Sequence, residues 1–184
     1  MKIELKKIQI NLQFSEETIM FKAEIYVNGI NAGYASNDGR GGSTDYRPHY
    51  SEDKSMVKLN QELIAMAEKH CLALPPIKFK SGLPGKEFGT IKMNLEHFID
   101  EIIDAQLKKK EEKKLEKLCS HAILYGLPKG TSYRIIDFKR PLKEIASTPV
   151  GKITIQRHYD AAKAKLQKGE MFFNKNLEEL GIKL

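Results

Sequence analysis

The dipeptide Asn28-Gly29 constrains the fold of this chain more than any other feature, because it separates two runs of alternating apolar and polar residues. Alternation with a period of two places one set of side chains on one face of a strand. Asn-Gly fits the central positions of a tight hairpin, where both residues need a positive φ. A further alternating run begins at Ile3, so the sequence predicts a three-stranded antiparallel meander over residues 1–36.

Irregularities in the first run and the residues after the meander refine this prediction. The alternation slips between Leu5 and Ile8, which predicts a bulge at Lys6-Lys7. Apolar residues then recur every three or four positions from Lys54 to Leu72, which is typical of an amphipathic helix, with Ser51 as the expected N-cap. Residues 77–93 contain the glycine- and proline-rich segment 81–85 and are predicted to form a surface loop.

The second half of the chain is predicted to contain two further helices and two strands. A long helix begins after Asn94 and runs to about His121, with a charged, solvated stretch at 108–117. Loop-type composition follows at 127–130. Residues 133–138 are strand-like, 141–147 fit a short helix, and a last helix begins at Thr148-Pro149 and ends near Gly169. Residues 171–173 favour an edge strand, and four aliphatic residues of the tail are expected to dock onto the core: Leu177, Leu180, Ile182 and Leu184.

These elements predict a single α+β domain over residues 1–184, with an antiparallel meander packed by helices and one long charged helix. Its parts are the meander 1–36, a glycine-rich loop 37–52, a helical part 53–126 with the long helix at 94–121, and a basic α/β part 127–184.

Charge and composition limit the functional classes. The net charge of +7 belongs to the second half, since residues 1–50 are neutral while residues 119–184 carry twelve basic and six acidic groups. This half could face a polyanion, or its lysines could simply maintain solubility. No secretory signal and no membrane-spanning run is visible, so we expect a cytoplasmic protein with no membrane partner. Cys71 and Cys119 are expected to be reduced, buried thiols.

The glycine-rich loop is the best candidate for a binding site. Residues 36–47 contain three glycines and no aliphatic side chain, so only polar contacts could order them. Glycine backbone N–H groups form anion-binding nests, arginines grip phosphate, a tyrosine can stack on a base, and aspartates can orient the ligand. The predicted ligand-binding residues are Asn37, Asp38, Gly39, Arg40, Gly41, Gly42, Thr44, Asp45, Tyr46, Arg47 and His49. The alternative is a plain surface turn in which Arg40 pairs with Asp45.

Other chemistries find little support in the residue pattern. The loop matches neither of the common glycine-rich nucleotide motifs, and the five histidines lack helical metal-ligand spacing. We therefore predict no catalytic residues, no metal and no cofactor, although pairing of a cysteine with a histidine stays open as an alternative. A second cluster, residues 157–160, contains Arg157 beside small residues, or is an ordinary surface arginine with Tyr159 packed on the core.

Two segments resemble a group of small uncharacterised bacterial and phage proteins. These are the loop SNDGRGGSTDYR at 36–47 and the tail EMFFNKNLEELG at 170–181. The group has no known activity to transfer. The resemblance implies a phage setting, in which small proteins counter bacterial immunity by capturing a nucleotide messenger or by blocking a defence protein in the host cytoplasm.

The sequence thus favours a non-enzymatic binder of a small anionic, nucleotide-like ligand. One alternative is a protein- or nucleic-acid-interaction module that uses the basic second half, with nucleic acid the less favoured partner and a host protein the other. Another is a small phosphodiesterase-like enzyme acting on a nucleotide messenger through His49 with Asp38 or Asp45. The long helix is also a candidate for homo-oligomer formation.

Overall fold

The computed structural model describes residues 1–78, 89–128 and 133–184. They fall into two compact parts, which we call unit 1 (residues 1–106) and unit 2 (residues 107–184) and describe separately. The α+β class is confirmed, whereas the interpretation of the whole chain as a single domain stays a prediction. The predicted loop segments 81–85 and 129–130 lie outside the described residues.

Unit 1 is built on a four-stranded antiparallel sheet in the order β1-β2-β3-β4. The strands are β1 Ile3–Ile10, β2 Phe21–Val27, β3 Ile30–Asn37 and β4 Asp45–Pro48, with a 3₁₀ turn Leu12–Phe14 after β1. The predicted meander is confirmed, but β4 arises from residues predicted to be loop. Gly33 permits this pairing, because a Cβ there would lie 2.2 Å from the Arg47 carbonyl oxygen.

Both irregularities predicted in the meander are confirmed. Asn28 and Gly29 have φ values of 51° and 88°, and Val27 pairs directly with Ile30 across the two-residue turn. The register of β1 on β2 shifts between Lys6 and Gln9, at a bulge where Lys7 has a φ of 49°. The hairpin and the bulge fix which side chains of the sheet face the core.

Helix α1, Lys54–Leu72, covers this sheet and has the predicted bounds, but its N-cap differs. Asp53 caps the helix, accepting a 2.8 Å hydrogen bond from the Ser55 N–H, while Ser51 stands two residues too early and accepts from the Asp53 N–H instead. Leu63, Ile64, Ala67 and Cys71 form its buried side.

Helix α2, Leu95–Cys119, begins in unit 1 and ends in unit 2. Asn94 caps it as predicted, accepting a 2.7 Å hydrogen bond from the His97 N–H. In unit 1 its residues Leu95, Ile99 and Ile103 are almost fully buried in the core of the sheet and α1. The predicted surface loop before it contains a small antiparallel ribbon of β5 Ile77–Lys78 and β6 Thr90–Ile91.

Unit 2 contains a three-stranded antiparallel sheet in the order β8-β7-β9. Its strands are β7 Ala122–Gly126, β8 Tyr133–Asp137 and β9 Met171–Phe172. The predicted strands β8 and β9 are confirmed. The central strand β7 lies in the segment 53–126 that is predicted to be helical. All five of its residues are buried, and from sequence a short apolar run without alternation cannot be distinguished from part of a helix.

Two helices complete unit 2. The short α3, Leu142–Ile145, is confirmed, and α4, Pro149–Lys163, begins at the predicted cap, where the Thr148 hydroxyl accepts a 3.0 Å hydrogen bond from the Gly151 N–H. α4 ends six residues before the predicted Gly169, which instead lies in the turn ahead of β9 with a φ of 88°.

The core of unit 2 lies on both faces of its sheet. Ile123 packs on one side with α3, α4 and the tail, whereas Leu124 packs on the other with Cys119 at the end of α2. Leu177 and Ile182 are buried as predicted and Leu180 partly so, but Leu184 is 55% exposed and does not dock. In the described part of the chain, no helix is long and apolar enough to cross a membrane.

A buried asparagine links the tail to this sheet. The Asn174 Oδ1 accepts a 2.8 Å hydrogen bond from the Leu124 N–H, and its Nδ2 donates to the carbonyls of Ala122 and Cys119 at 2.8 and 3.2 Å. These backbone groups are buried and would otherwise lack these partners.

We expect Asn174→Ala to lower the free energy of unfolding by about 2–4 kcal/mol, since it strands buried backbone groups. Asn176→Ala is the matched control, because the buried Asn176 Oδ1 has no partner in the described residues and its loss should cost under about 1 kcal/mol. Urea unfolding of the three proteins measures both. Equal losses would show that the Asn174 hydrogen bonds are not the cause.

Candidate functional site

The glycine-rich loop is ordered by the buried amide of Asn37 at the end of β3. Its Oδ1 accepts hydrogen bonds from the Thr18 hydroxyl at 2.7 Å and the Gly39 N–H at 2.8 Å, while its Nδ2 donates to the Gly42 carbonyl at 2.9 Å. One side chain therefore joins both ends of the loop to the segment before β2. The polar contacts that the composition requires are supplied by the protein itself.

Gly39 is placed where the loop passes closest to the rest of unit 1. Its carbonyl accepts N–H groups from Glu16, Glu17 and Thr18 at 2.9, 3.1 and 3.3 Å. Its φ is +85°, and a Cβ there would lie 2.4 Å from the Phe14 carbonyl oxygen. Glycine is therefore required at this position by conformation and by space together.

Thr44 joins the far end of the loop to helix α2. Its N–H donates to the Glu96 carboxylate at 3.2 Å, and its hydroxyl donates to the Asp100 Oδ1 at 2.6 Å. Thr44 is almost fully buried. Both donors of this residue thus serve carboxylates on the first turns of α2.

A cleft of about 410 Å³ opens between the loop and α2 within unit 1. Its apolar surface comes from Ile19, Phe21 and Ile103, and its polar surface from Thr18, Asn37, Thr44 and the backbone of residues 41–43. Four carboxylates also line it, contributed by Glu17, Glu96, Asp100 and Asp104. Among the residues that the structure describes, His97 is the one basic residue of this lining, and none of their lysines or arginines contributes to it. The volume is typical of small-molecule sites.

The electrostatics of the cleft are centred on Asp100. Burial raises the pKa of this carboxyl above its ordinary value, and the neighbouring Glu96 and Asp104 raise it further, while the Thr44 hydroxyl and His97 oppose the rise. A carboxylate held among other carboxylates gains from a cation or a hydrogen-bond donor placed beside it. The cleft therefore favours positive charge in a bound molecule.

The eleven predicted loop residues divide into two groups. Asn37, Gly41, Gly42 and Thr44 line the cleft. The other seven are not among the described lining residues: Asp38, Gly39, Arg40, Asp45, Tyr46, Arg47 and His49. Whether any of the eleven contacts a ligand stays a prediction.

Tyr46 and Arg47 of the loop contact residues that do not line the cleft. The Tyr46 hydroxyl donates to Glu68 of α1 at 2.9 Å, and burial with this hydrogen bond raises the pKa of Tyr46 to about 12. Arg47 pairs with Asp45 at 2.9 Å on the surface. The alternative pairing of Arg40 with Asp45 is not among the ion pairs of the described residues, because positions 45 and 47 lie on the same face of β4 and bring Arg47 to that carboxylate.

Neither aspartate proposed as a partner of His49 makes a contact with it in the described residues. The Asp38 carboxylate accepts the Arg40 N–H at 3.2 Å, which is a local turn. The His49 Nδ1 lies 2.7 Å from the Tyr50 carbonyl oxygen. These contacts give no support to the catalytic pairing considered from the sequence.

Cys71 and Cys119 are both free and buried, as expected. Burial raises the pKa of each thiol, so neither is activated as a nucleophile. Within the described ranges no set of three or more His, Cys, Asp or Glu side chains is arranged to hold a metal ion. Tyr159 is packed in the core of unit 2, in agreement with the surface-helix interpretation of residues 157–160.

Sequence reasoning missed the acidic half of the cleft. One row on α2 is acidic, because its residues recur every four positions: Glu96, Asp100 and Asp104. The sequence prediction for this helix used only its apolar face and its charged stretch at 108–117. Glu17 and Thr18, between β1 and β2, are likewise absent from the predicted site residues. The periodic acidic row was readable from the sequence, whereas its position opposite the glycine-rich loop was not.

Comparison of the chain with models of known protein families, with curated proteins and with solved structures found no match in any of the three. The resemblance of the loop and tail to bacterial and phage proteins stays a prediction.

Two glycines of the loop provide a test of its packing. Gly39 and Gly41 have nearly equal φ values of +85° and +86°, so alanine imposes the same backbone strain at both. The Cβ at residue 39 meets fixed backbone, whereas at residue 41 it meets the end of the flexible Glu17 side chain. We expect unfolding free energy to fall by about 1 kcal/mol for Gly41→Ala and by at least about 2 kcal/mol for Gly39→Ala. Equal losses in chemical denaturation would contradict this account.

The raised pKa of Asp100 predicts a pH-dependent stability. The folded state holds this proton more tightly than the unfolded state, so stability present at low pH declines as pH rises through the folded pKa. Asp100→Asn keeps an acceptor for Thr44 but removes the charge. The melting temperature of Asp100→Asn minus that of wild type should therefore increase from pH 4 to pH 7. For the control Glu101→Gln, which is exposed on the same helix, this difference should stay constant. A constant difference between Asp100→Asn and wild type would exclude the effect.

Proposed function

We propose that unit 1 is a non-enzymatic binding module for a small organic cation, a molecule with an amine or guanidinium group on an apolar body. The observation that carries this proposal is the lining of the cleft, which combines four carboxylates with apolar side chains and, within residues 1–78, 89–128 and 133–184, includes no lysine or arginine. A cationic group would satisfy these carboxylates, and its carbon chain would cover Ile19, Phe21 and Ile103.

The hydrogen bonds of the cleft support a donor-rich ligand. Thr44 gives both of its donors to Glu96 and Asp100 through one oxygen of each carboxylate. The second oxygen of each accepts no hydrogen bond from the described residues and is able to accept from a ligand. The pre-ordered loop supports tight binding, because Asn37 has already fixed its backbone and little ordering entropy is lost.

Binding of an anionic, nucleotide-like ligand stays a prediction, and the acidic lining of the cleft disfavours it. Phosphate beside Glu96, Asp100 and Asp104 would be repelled. Arg47, one of the two expected phosphate contacts, pairs with Asp45 outside the cleft. A nucleotide would have to bind over the outer surface of the loop, where Arg40 and Arg47 are exposed.

Calorimetric titration of the full chain with putrescine, spermidine and agmatine, and with AMP and cyclic dinucleotides, separates the two ligand classes. We expect an amine to bind, and Asp100→Asn or Glu96→Gln to weaken it at least about tenfold, since each removes a charge-assisted hydrogen bond of about 1.5–3 kcal/mol. Glu101→Gln should leave the affinity unchanged.

The double variant Arg40→Ala/Arg47→Ala supplies the opposite control. Amine binding should survive in it. Binding of a nucleotide that is lost in this variant, with no response to any amine, would replace the cation proposal with the anionic one.

A further inference from the structure

Helix α2 carries five lysines on one exposed face in unit 2: Lys109, Lys110, Lys113, Lys114 and Lys117. We call this set the lysine face. Spacings of one, four, five and eight residues keep all five within one side of a helix. In sequence the run is interrupted by three glutamates, which suggested a mixed, solvated surface.

In the structure the three glutamates do not lie among these five lysines on the helix surface. Glu112 and Glu116 line a cleft together with Leu115, Cys119 and Phe173, so they lie on the side of α2 that is turned toward the rest of unit 2. By helical geometry Glu111 lies beside the inward-facing Leu118. In residues 1–78, 89–128 and 133–184 none of the five lysines makes a salt bridge. The lysine face therefore consists of lysines only, with the exposed Glu111, Glu112 and Glu116 along its edges.

From this arrangement we infer that the lysine face of α2 binds the phosphate backbone of double-stranded nucleic acid without reading its sequence. This function goes beyond the cleft of unit 1. The five side chains extend over about 12 Å of helix, and the same length of duplex carries about seven phosphates. Unit 2 as a whole has 18 basic and nine acidic residues, which adds long-range attraction.

The composition of the face selects this partner over others. Lysines are flexible point charges suited to phosphate contacts, and they are depleted in protein interfaces. No aromatic residue accompanies them, so a single strand would find no stacking platform. No aliphatic side chain belongs to the face, so it cannot insert into a lipid surface. A second copy of the same face would be repelled, because its charge is also positive.

The helix itself points to a bound anion. Three like-charged pairs stand four residues apart, at 109 and 113, 113 and 117, and 110 and 114, and such pairs destabilise a helix in water. Phosphates placed between them would relieve this repulsion. We therefore expect the melting temperature of the full chain to rise with duplex at low salt.

The experiment is fluorescence anisotropy of a labelled 20-base-pair DNA duplex titrated with the full chain between 50 and 200 mM KCl. With about four phosphate contacts, affinity should fall on the order of 100-fold over this range, with a log–log slope near −3.6. A second duplex of unrelated sequence should bind within about threefold.

The variant Lys109→Gln/Lys113→Gln/Lys117→Gln should weaken binding at 50 mM KCl at least about tenfold and make the slope shallower by about two to three units. Glutamine keeps helix propensity, and circular dichroism verifies the fold. The matched control, Lys143→Gln/Lys165→Gln/Lys168→Gln, removes the same charge from other exposed positions of unit 2 and should bind within about threefold of wild type.

Three outcomes would overturn the inference. These are absence of duplex binding at 50 mM KCl, equal loss in the control variant, which would assign binding to net charge alone, and stronger binding to phosphatidylserine vesicles or polyglutamate than to duplex.

Discussion

The amide of Asn37 is the interaction on which the structure of unit 1 and its cleft depend. Four hydrogen-bonding positions of one buried side chain connect the end of β3, the glycine-rich loop and the segment before β2. The loop contains no aliphatic side chain to bury, so its order depends on polar contacts, and Asn37 supplies those that join its two ends. Thr44 then extends this order to α2 and brings the loop against its acidic row.

Unit 2 uses the same device at a different place. Asn174 satisfies backbone groups of β7 and of the end of α2, where a tail segment meets the sheet. In both units a buried asparagine bridges segments that no strand pairing joins, since one amide offers both donor and acceptor.

Charge is distributed so that the two units suit different partners. The cleft of unit 1 is acidic and apolar, whereas unit 2 carries the excess of lysine and exposes the lysine face of α2. A single helix contributes to both properties, with its acidic row at residues 96–104 and its lysines at 109–117.

Local patterns in the sequence determined most of the secondary structure. Alternation, Asn28-Gly29 and the caps at Asn94 and Thr148 predicted strands and helix starts, because each depends on a few neighbouring residues. Strands β4 and β7 were not predicted. β4 depends on the close approach of Gly33 to Arg47, and β7 is a short buried run without alternation of apolar and polar residues. For the site, the sequence correctly marked the loop as a segment that needs polar contacts. Only the tertiary structure decided that Asn37 supplies them, that Arg47 pairs with Asp45 outside the cleft and that carboxylates of α2 line it. The physical reason is that distant segments meet, since Asn37 reaches Thr18 nineteen positions away and Thr44 reaches residues of α2 more than fifty positions away.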